Sequence, residues 1–216
     1  MSDDFSQEIK NYNKEAIIKY LNDNFKVPND KKSTHTSIDN PKGKWYVDDQ
    51  YLDAFYGQLY TCMFKKNVEL HLTEAHKEIS PVLIDLDLRH SIKTKYREFN
   101  IDFIHTFIKY YIDTIKQTYT NIDKLLEKDN TILDCYVLLK DTIIKDKEKG
   151  VVKDGIHIIM PNLITKPEVQ RWFRHYLITQ YKSELNDLFK DINNTNNLSE
   201  TIDDKVIFDT NWQIYG

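Results

Sequence analysis

The chain has 216 residues, of which 40% are hydrophobic and 30% are charged, and its formal net charge is −4 at pH 7. This length can bury a sizeable core in one large domain or two small ones. No apolar run reaches the roughly 20 residues that span a bilayer, and the N-terminus lacks the features of a signal peptide. The two cysteines, Cys62 and Cys135, are too few for a disulfide framework or a cysteine-rich zinc site. We therefore expect a cytoplasmic protein that is neither secreted nor membrane-bound and that binds nucleic acid, if at all, through a local basic patch.

The first 80 residues are predicted to form a helical or mixed αβ module packed on the rest of the protein. Apolar residues recur every three or four positions from Phe5 to Phe25, which predicts an amphipathic helix that ends before Pro28. Residues 29–44 are polar and turn-rich, and we interpret them as a solvated loop, with a loop that contacts nucleic acid as the alternative. Residues 48–64 predict a second helix with aromatic residues at helical spacing, which we interpret as core. These aromatic residues are Tyr51, Phe55, Tyr56 and Tyr60.

The segment from Pro81 to Arg89 is a short apolar run that contains two acids. Successive side chains of a strand point to opposite faces of the sheet, so Asp85 and Asp87 are predicted to share one face. Two adjacent carboxylates are costly to bury unless they share a proton or bind a cation, and a hard divalent cation such as Mg²⁺ is the natural partner. A strand whose polar face simply carries two acids is the alternative, because short motif matches are often accidental.

A basic segment follows the two acids directly. Its members are Arg89, His90, Lys93, Lys95 and Arg97. An anion lying across the acids, such as a nucleoside triphosphate or a nucleic-acid backbone, would explain positive charge at this place. A solvated loop is the alternative.

The rest of the chain alternates between strands and helices. Buried strands are predicted at residues 133–140 and 151–161, a short last strand at 205–208, and helices at 101–119 and 166–189. From the acidic strand onward the order is strand, helix, strand, strand, helix, strand. This is the split βαβ order of ferredoxin-like and RNA-recognition-motif-like α+β domains, whose first strand lies between the third and the fourth.

The strand at residues 151–161 carries a second group of polar residues on one face. Lys153, Gly155 and His157 alternate with apolar residues. A glycine inside a strand often marks a close approach of a ligand or another backbone. A lone histidine on such a strand is more often part of the core, but its combination with a lysine and a glycine favours a site. In the split βαβ topology these residues lie beside Asp85 on one side, and Asp203 lies on the other.

These motifs together resemble the three ordered motifs of archaeo-eukaryotic primases. They read Asp85-Leu-Asp87, then Lys153-Asp-Gly-Ile-His157-Ile-Ile-Met-Pro161, then Ile202-Asp203 followed by Asn211-Trp-Gln-Ile-Tyr-Gly216. The resemblance is to the N-terminal primase domain of the primase-helicases of poxviruses and other large nucleocytoplasmic DNA viruses. The segments Thr34-His-Thr-Ser37 and Leu72-Thr-Glu74 are similar to that subfamily too. It implies an RNA-recognition-motif-like catalytic palm at residues 81–216 with an N-terminal helical extension.

The resemblance implies a DNA-dependent nucleotidyltransferase, a primase or primase-polymerase, that makes primers on single-stranded DNA in viral DNA replication. Asp85, Asp87 and Asp203 would hold two divalent ions, Mg²⁺ or Mn²⁺. The third acid is ambiguous, because Asp204 and Asp209 lie close by in the sequence. The chain ends where members of the subfamily continue, so we expect a fragment of a longer protein with a C-terminal superfamily-three helicase.

The resemblance also implies how the substrate binds. His157, helped by Lys153, would contact the phosphates of an incoming ribonucleotide or deoxynucleotide, and Arg89 would add positive charge. Gly155 stands where many family members have serine. Two other classes stay open: a metal-dependent nuclease that uses the same acids, and a non-catalytic RNA-recognition-type module. The second uses exposed aromatics on the open sheet face, where this chain offers Asp, Lys and His.

Overall fold

The computed structural model describes residues 2–28, 30–37, 42–68, 70–75, 77–192 and 194–203, with the backbone alone at residues 2–13 and 203. The predicted strand at 205–208, the alternative acids Asp204 and Asp209, and the motif at 211–216 lie outside these ranges. The described residues form two compact units, one before residue 77 and one beginning at Lys77. No helix within the described ranges is long and apolar enough to cross a membrane.

The N-terminal unit combines helices with a small antiparallel sheet. Its elements are α1 (Ser2–Phe25), β1 (His35–Ser37), β2 (Gly43–Trp45), a 3₁₀ turn (Asp49–Tyr51), α2 (Leu52–Tyr60), a π-helical turn (Thr61–Lys65) and β3 (Thr73–Glu74). The strand order is β2-β1-β3. Trp45 is fully buried at the centre of this unit, where its indole N–H donates to Asn22 Oδ1 at 3.1 Å. The two predicted helices of this region are therefore confirmed.

The prediction that the aromatic residues of the second helix form core is wrong for three of the four. Phe55 is buried, but Tyr51, Tyr56 and Tyr60 are 50%, 41% and 55% exposed. Neighbouring residues of a helix point about 100° apart, and the buried stripe of α2 includes Phe55 but not the residue that follows it. The Tyr56 hydroxyl donates to Glu74 Oε2 at 3.0 Å, and partial burial together with this carboxylate raises the pKa of Tyr56 to about 12.

The second unit is a single antiparallel sheet with helices. Its elements are β4 (Ser80–Ser91), α3 (Ile101–Thr118), α4 (Ile122–Lys128), β5 (Tyr136–Leu139), β6 (Ile144–Asp146), β7 (Val151–Thr165), α5 (Pro167–Gln180), α6 (Lys182–Phe189), α7 (Leu198–Thr201) and β8 (Ile202–Asp203). The strand order is β5-β7-β4-β8, and β6 also pairs with β7. The first strand of the unit therefore lies between the third and the fourth main strands, which confirms the predicted split βαβ α+β fold.

Two elements of this unit differ from their predictions. The single helix expected at residues 166–189 is two helices, because the chain leaves helical geometry at Tyr181. The strand expected to be buried at 133–140 is a shorter strand at the sheet edge, where Tyr136 and Leu138 are 63% and 54% exposed. Central strands and edge strands can both contain a short apolar run, so the sequence pattern alone could not tell which kind of strand residues 133–140 form.

The hydrophobic core covers one face of the sheet and leaves the other open. Along β4, buried residues alternate with partly exposed ones, and β7 follows the same alternation from Val151 to Met160 except at Gly155, which is buried. The inward-facing side chains of both strands pack in one cluster with residues of α3 and α5, such as Phe107 and Phe173. Buried Gln170 of α5 accepts from the Leu83 N–H at 3.2 Å and donates to the Pro81 carbonyl at 3.0 Å, which satisfies the backbone where the β4–β7 register shifts. The opposite face carries the polar residues.

Candidate active site

Two central strands bring the predicted site residues together on the open face. β4 and β7 are antiparallel, and Asp85 lies opposite His157 in their register. One alternation further along β4, Asp87 lies opposite Gly155. Cross-strand partners share a face and their side chains are neighbours. Residues more than 65 positions apart in the sequence thus form one cluster.

A side-chain contact between the two strands joins Asp85 and His157. His157 Nδ1 lies 3.6 Å from Asp85 Oδ1. This separation is a close polar contact that is slightly too long for a direct hydrogen bond. The Asp85 side chain is 19% exposed and the imidazole is 48% exposed. The carboxylate is therefore mostly buried, while about half of the imidazole is open to solvent.

Asp87 already has a cationic partner. Arg89 Nη2 donates to Asp87 Oδ2 at 2.6 Å, and both side chains are partly buried. Arg89 and Asp87 are two residues apart on one strand, so they point to the same face. Arg89 thus neutralises one of the two acids, and it would have to give up this contact to bind a phosphate.

Lys153 lies opposite Arg89 in the register, at the same end of the face. Its Nζ is 2.8 Å from Asp146 Oδ2. The hydrogen bond from Lys153 and a second one from the Lys149 backbone N–H lower the pKa of Asp146. The positive charge of Lys153 is therefore partly neutralised by Asp146 of the neighbouring strand β6. The sequence did not predict this ion pair.

Gly155 stands where β4 and β7 approach closely. A Cβ atom at this position would lie 3.0 Å from the carbonyl oxygen of Leu86 and 3.7 Å from Lys140 Nζ. The first distance is tighter than ordinary van der Waals contact with a carbonyl oxygen, and that oxygen belongs to the backbone of a central strand. The close approach of the two strands thus explains the glycine. A glycine within a strand can mark either such a backbone approach or a nearby ligand.

The position of the third predicted acid, Asp203, is given by the pairing of β8, the last described strand. β8 pairs with β4 so that residue 203 lies directly opposite Asp85, on the other side from His157. The side chain of Asp203 is outside the described part of the chain. Among the described side chains, no group of three or more His, Cys, Asp or Glu could hold a metal ion. Asp85 and Asp87 supply carboxylate oxygens, which hard divalent cations prefer, and residue 203 is adjacent by register, so the residues fit such an ion.

The loop before β8 supports the acid-bearing strand. Asn194 Oδ1 accepts from the Arg89 N–H at 3.0 Å, and the Thr195 N–H donates to the Arg89 carbonyl at 2.7 Å. Asn196 Nδ2 donates to the Asp87 carbonyl at 3.1 Å. These contacts continue the pairing of β4 beyond the two residues of β8. The polar sequence predicted only a loop here, because such long-range partners leave no local pattern.

The basic segment after the acids is divided between the two faces. Arg97 donates through Nε and Nη2 to Asp154 at 2.9 and 3.0 Å, and Asp154 is fully buried. The hydrogen bonds to this carboxylate raise the pKa of Arg97. His90 is also fully buried, whereas Lys93 and Lys95 are exposed. Arg97 therefore serves the fold and does not lie on the acid-bearing face.

The class of domain is now defined: an RNA-recognition-motif-like palm that carries a carboxylate pair and a histidine on its open face. The family model described as the C962R protein N-terminal AEP domain, in which AEP stands for archaeo-eukaryotic primase, matches residues 34–216. The chain belongs to this family, and the resemblance noted from the sequence is confirmed.

Two curated relatives come from large DNA viruses. The chain is 31% identical over 188 residues to "Putative helicase L207/L206" of Acanthamoeba polyphaga mimivirus, an alignment that covers 85% of this chain and 18% of that protein. It is 30% identical over 197 residues to "Putative helicase 184R" of Invertebrate iridescent virus 6, covering 85% and 20%. The chain thus spans about a fifth of the length of these relatives.

Proposed function

We propose that this domain is a DNA-dependent nucleotidyltransferase, a primase or primase-polymerase, that synthesises primers on single-stranded DNA in viral DNA replication. The observation that carries the proposal is the contact between Asp85 and His157 at 3.6 Å, with Asp87 on the same face. Nucleotidyl transfer needs carboxylates for metal ions next to a group that binds phosphate, and this contact supplies both. Membership of the archaeo-eukaryotic primase family supports the same chemistry.

Asp85, Asp87 and Asp203 would hold two divalent ions, Mg²⁺ or Mn²⁺. When bound, such ions activate the attacking 3′-hydroxyl and neutralise the triphosphate and the leaving pyrophosphate. The protein's own contribution is to keep the acids in place. β7 on one side, and β8 with the loop at 194–196 on the other, fix the backbone of β4 on both edges. Ligands held by rigid strands are positioned more accurately than ligands on loops.

The positive groups of the face would bind the phosphates. His157 is open to solvent and can donate a hydrogen bond to a phosphate oxygen without leaving Asp85. Lys153 is held by Asp146 and would be shared between this acid and a phosphate. Arg89 would give up its contact with Asp87 to bind a phosphate. The charge that develops on the phosphates in the transition state would then meet preplaced cations.

The names and lengths of the relatives support a proposal about the partners of this domain. Both are named as helicases and are about five times longer than the aligned segment. We propose that the domain works beside a C-terminal superfamily-three helicase at a cytoplasmic site of viral replication. Single-stranded template would cross the open face with little sequence preference, and its affinity would fall as salt rises.

Primer synthesis tests the proposal directly. The purified domain is incubated with single-stranded DNA, labelled ribo- or deoxynucleotides and Mg²⁺ or Mn²⁺, and the products are separated by size. We expect short primers or extended primers from the parent and none from Asp85→Ala with Asp87→Ala. The matched control removes two exposed acids of α4, Asp123→Ala with Glu127→Ala, and is expected to retain activity.

Three outcomes would contradict the proposal in different ways. If the double variant of β4 is as active as the parent, the metal assignment is wrong. If labelled DNA is shortened in the absence of nucleotides, the domain is a metal-dependent nuclease. If the parent binds DNA but synthesises nothing with either metal, it is a binding module. Calorimetric titration with Mn²⁺ and a nucleotide adds a readout independent of turnover, because Asp85→Ala should weaken metal binding.

A further inference from the structure

The edge of the sheet beside the site contains a bulge. β5 ends at Leu139, opposite Ile156, and β6 begins at Ile144, opposite Lys153. Four residues, 140–143, therefore span the place that only Asp154 and Gly155 occupy on β7. Bulges of this kind redirect a side chain and are frequent at sheet edges and next to active sites.

The backbone of Lys140, the first residue of the bulge, is held in place by a hydrogen bond from Arg97. Its carbonyl oxygen accepts from Arg97 Nη2 at 2.5 Å, and the same guanidinium is anchored by the buried Asp154. Asp154 Oδ1 also accepts from the Gly155 N–H at 2.9 Å. One buried ion pair thus ties the backbone of the bulge to the backbone of β7 beside Gly155.

The side chain of Lys140 reaches the acid-bearing face. Its Nζ lies 3.7 Å from the point where a Cβ of Gly155 would be, and its Cε lies 3.9 Å from that point. A Cβ at this position belongs to the same face as His157, because the two residues are separated by one alternation of β7. Gly155 is the cross-strand partner of Asp87. The ammonium group therefore occupies space that a larger residue at 155 would fill.

Lys140 differs from the neighbouring cations, Arg89 and Lys153, in its ion pairing. Arg89 pairs with Asp87 at 2.6 Å and Lys153 pairs with Asp146 at 2.8 Å. Within the described part of the chain, no carboxylate oxygen lies within 4.0 Å of Lys140 Nζ. A lysine ammonium has three donors and binds phosphate as a compact point charge. This cation is ready to bind an anion without breaking an existing ion pair.

We propose that Lys140, whose ammonium group lies in the space beside Gly155, binds a phosphate oxygen of the incoming nucleoside triphosphate. The inference rests on the proposed function and adds a substrate-binding residue to it. Its position beside the partner of Asp87 puts the ammonium next to the acids, where the triphosphate has to lie. The bulge and the Arg97–Asp154 ion pair position Lys140 at this place.

Nucleotide binding by a charge-removing variant tests the inference. Lys140→Met keeps most of the aliphatic stem, and Lys140→Arg keeps the charge. Lys145→Met is the matched control: it removes the same charge from the same strand edge, but Lys145 lies opposite buried Val152 and so belongs to the other face. Affinities for a non-hydrolysable nucleoside triphosphate, a nucleoside monophosphate and single-stranded DNA are measured with Mn²⁺ by calorimetry.

We expect Lys140→Met to weaken triphosphate binding by about tenfold, as for the loss of one hydrogen bond to a charged group. Monophosphate binding should change by less than about twofold, which is below the effect of one such bond. Lys140→Arg should restore most of the affinity, and Lys145→Met should match the parent. Circular dichroism of the variants checks that each is folded.

Three results would overturn the inference. The first is unchanged triphosphate affinity in folded Lys140→Met. The second is an equal loss in Lys145→Met, since the effect would then be general electrostatics. The third is a loss confined to single-stranded DNA, which would assign Lys140 to the template backbone. Failure of the parent to bind any triphosphate refutes the proposed function as well, so the two failures are distinguishable.

Discussion

Removing Arg97 should destabilise the protein because its partner is buried. Asp154 is fully buried, and its two carboxylate oxygens accept from Arg97 at 2.9 and 3.0 Å. Arg97→Met leaves this carboxylate without its cation while keeping much of the aliphatic stem. Breaking a buried pair from one side typically costs about 3–5 kcal/mol.

The structure places the expected loss at the lower end of that range. The Arg97 side chain is 25% exposed, so water can partly reach the acid once the guanidinium is gone. We therefore expect the free energy of unfolding to fall by about 3 kcal/mol. The additional change Asp154→Asn removes the orphaned charge at similar volume and should recover at least about 1.5 kcal/mol, because neutralising both partners of a buried pair costs less than removing one.

Urea unfolding at pH 7, followed by tryptophan fluorescence and circular dichroism, measures these changes. The matched control is Lys190→Met. Lys190 Nζ lies 3.7 Å from Asp187 Oδ1, and both side chains are exposed. An exposed pair of this kind contributes about 0–1 kcal/mol. A loss below about 1 kcal/mol in Arg97→Met would show that the pair behaves like a surface ion pair, and the argument from burial would then be wrong.

Three further sites, Cys135, Gly155 and Asp146, give testable expectations. Partial burial raises the pKa of Cys135 from its ordinary value of 9.0 to about 11, so in a Cys62→Ser background its labelling by a disulfide reagent at pH 8 should be about a hundredfold slower in the folded than in the unfolded protein. Because the raised value belongs to the folded state, the free energy of unfolding should decline as the pH rises from about 9 to about 11. Gly155→Ala should lower the free energy of unfolding by about 1–2 kcal/mol, since its Cβ meets a backbone carbonyl oxygen at 3.0 Å. Asp146→Asn should tighten triphosphate binding by about two- to fivefold in calorimetry, because Lys153 would no longer have to leave its partly buried ion pair with this acid.

A different outcome would contradict the expectation at each site. Equal labelling rates in the folded and unfolded protein would mean that the thiol is not protected by burial. Gly57→Ala serves as the control for Gly155→Ala, since a Cβ there has open space in a helix and should stabilise the protein. A Gly155→Ala protein of parental stability would show that the two strands can separate. Weaker triphosphate binding in Asp146→Asn would mean that the acid positions Lys153 for the ligand.

The sequence by itself determined the order of the main strands and helices of the second unit and the faces of its strands. Alternation with period two placed Asp85 and Asp87 on one face, and Lys153, Gly155 and His157 on another strand's face, because successive side chains of any strand diverge in this way. The Asn100 cap of α3, whose Oδ1 accepts from the Phe103 N–H at 2.9 Å, is equally local. Local geometry is written in neighbouring residues, so it can be predicted from them.

Only the tertiary structure decided the register and the partners. Asp85 faces His157 because the apolar sides of β4 and β7 pack in one core, which fixes how two distant strands align. The pairing of Arg89 with Asp87, the burial of Arg97 and the bulge that delivers Lys140 depend on the same long-range alignment. A charge pattern along the chain carries no information about which distant group neutralises each charge, and so these features emerge only in the folded protein.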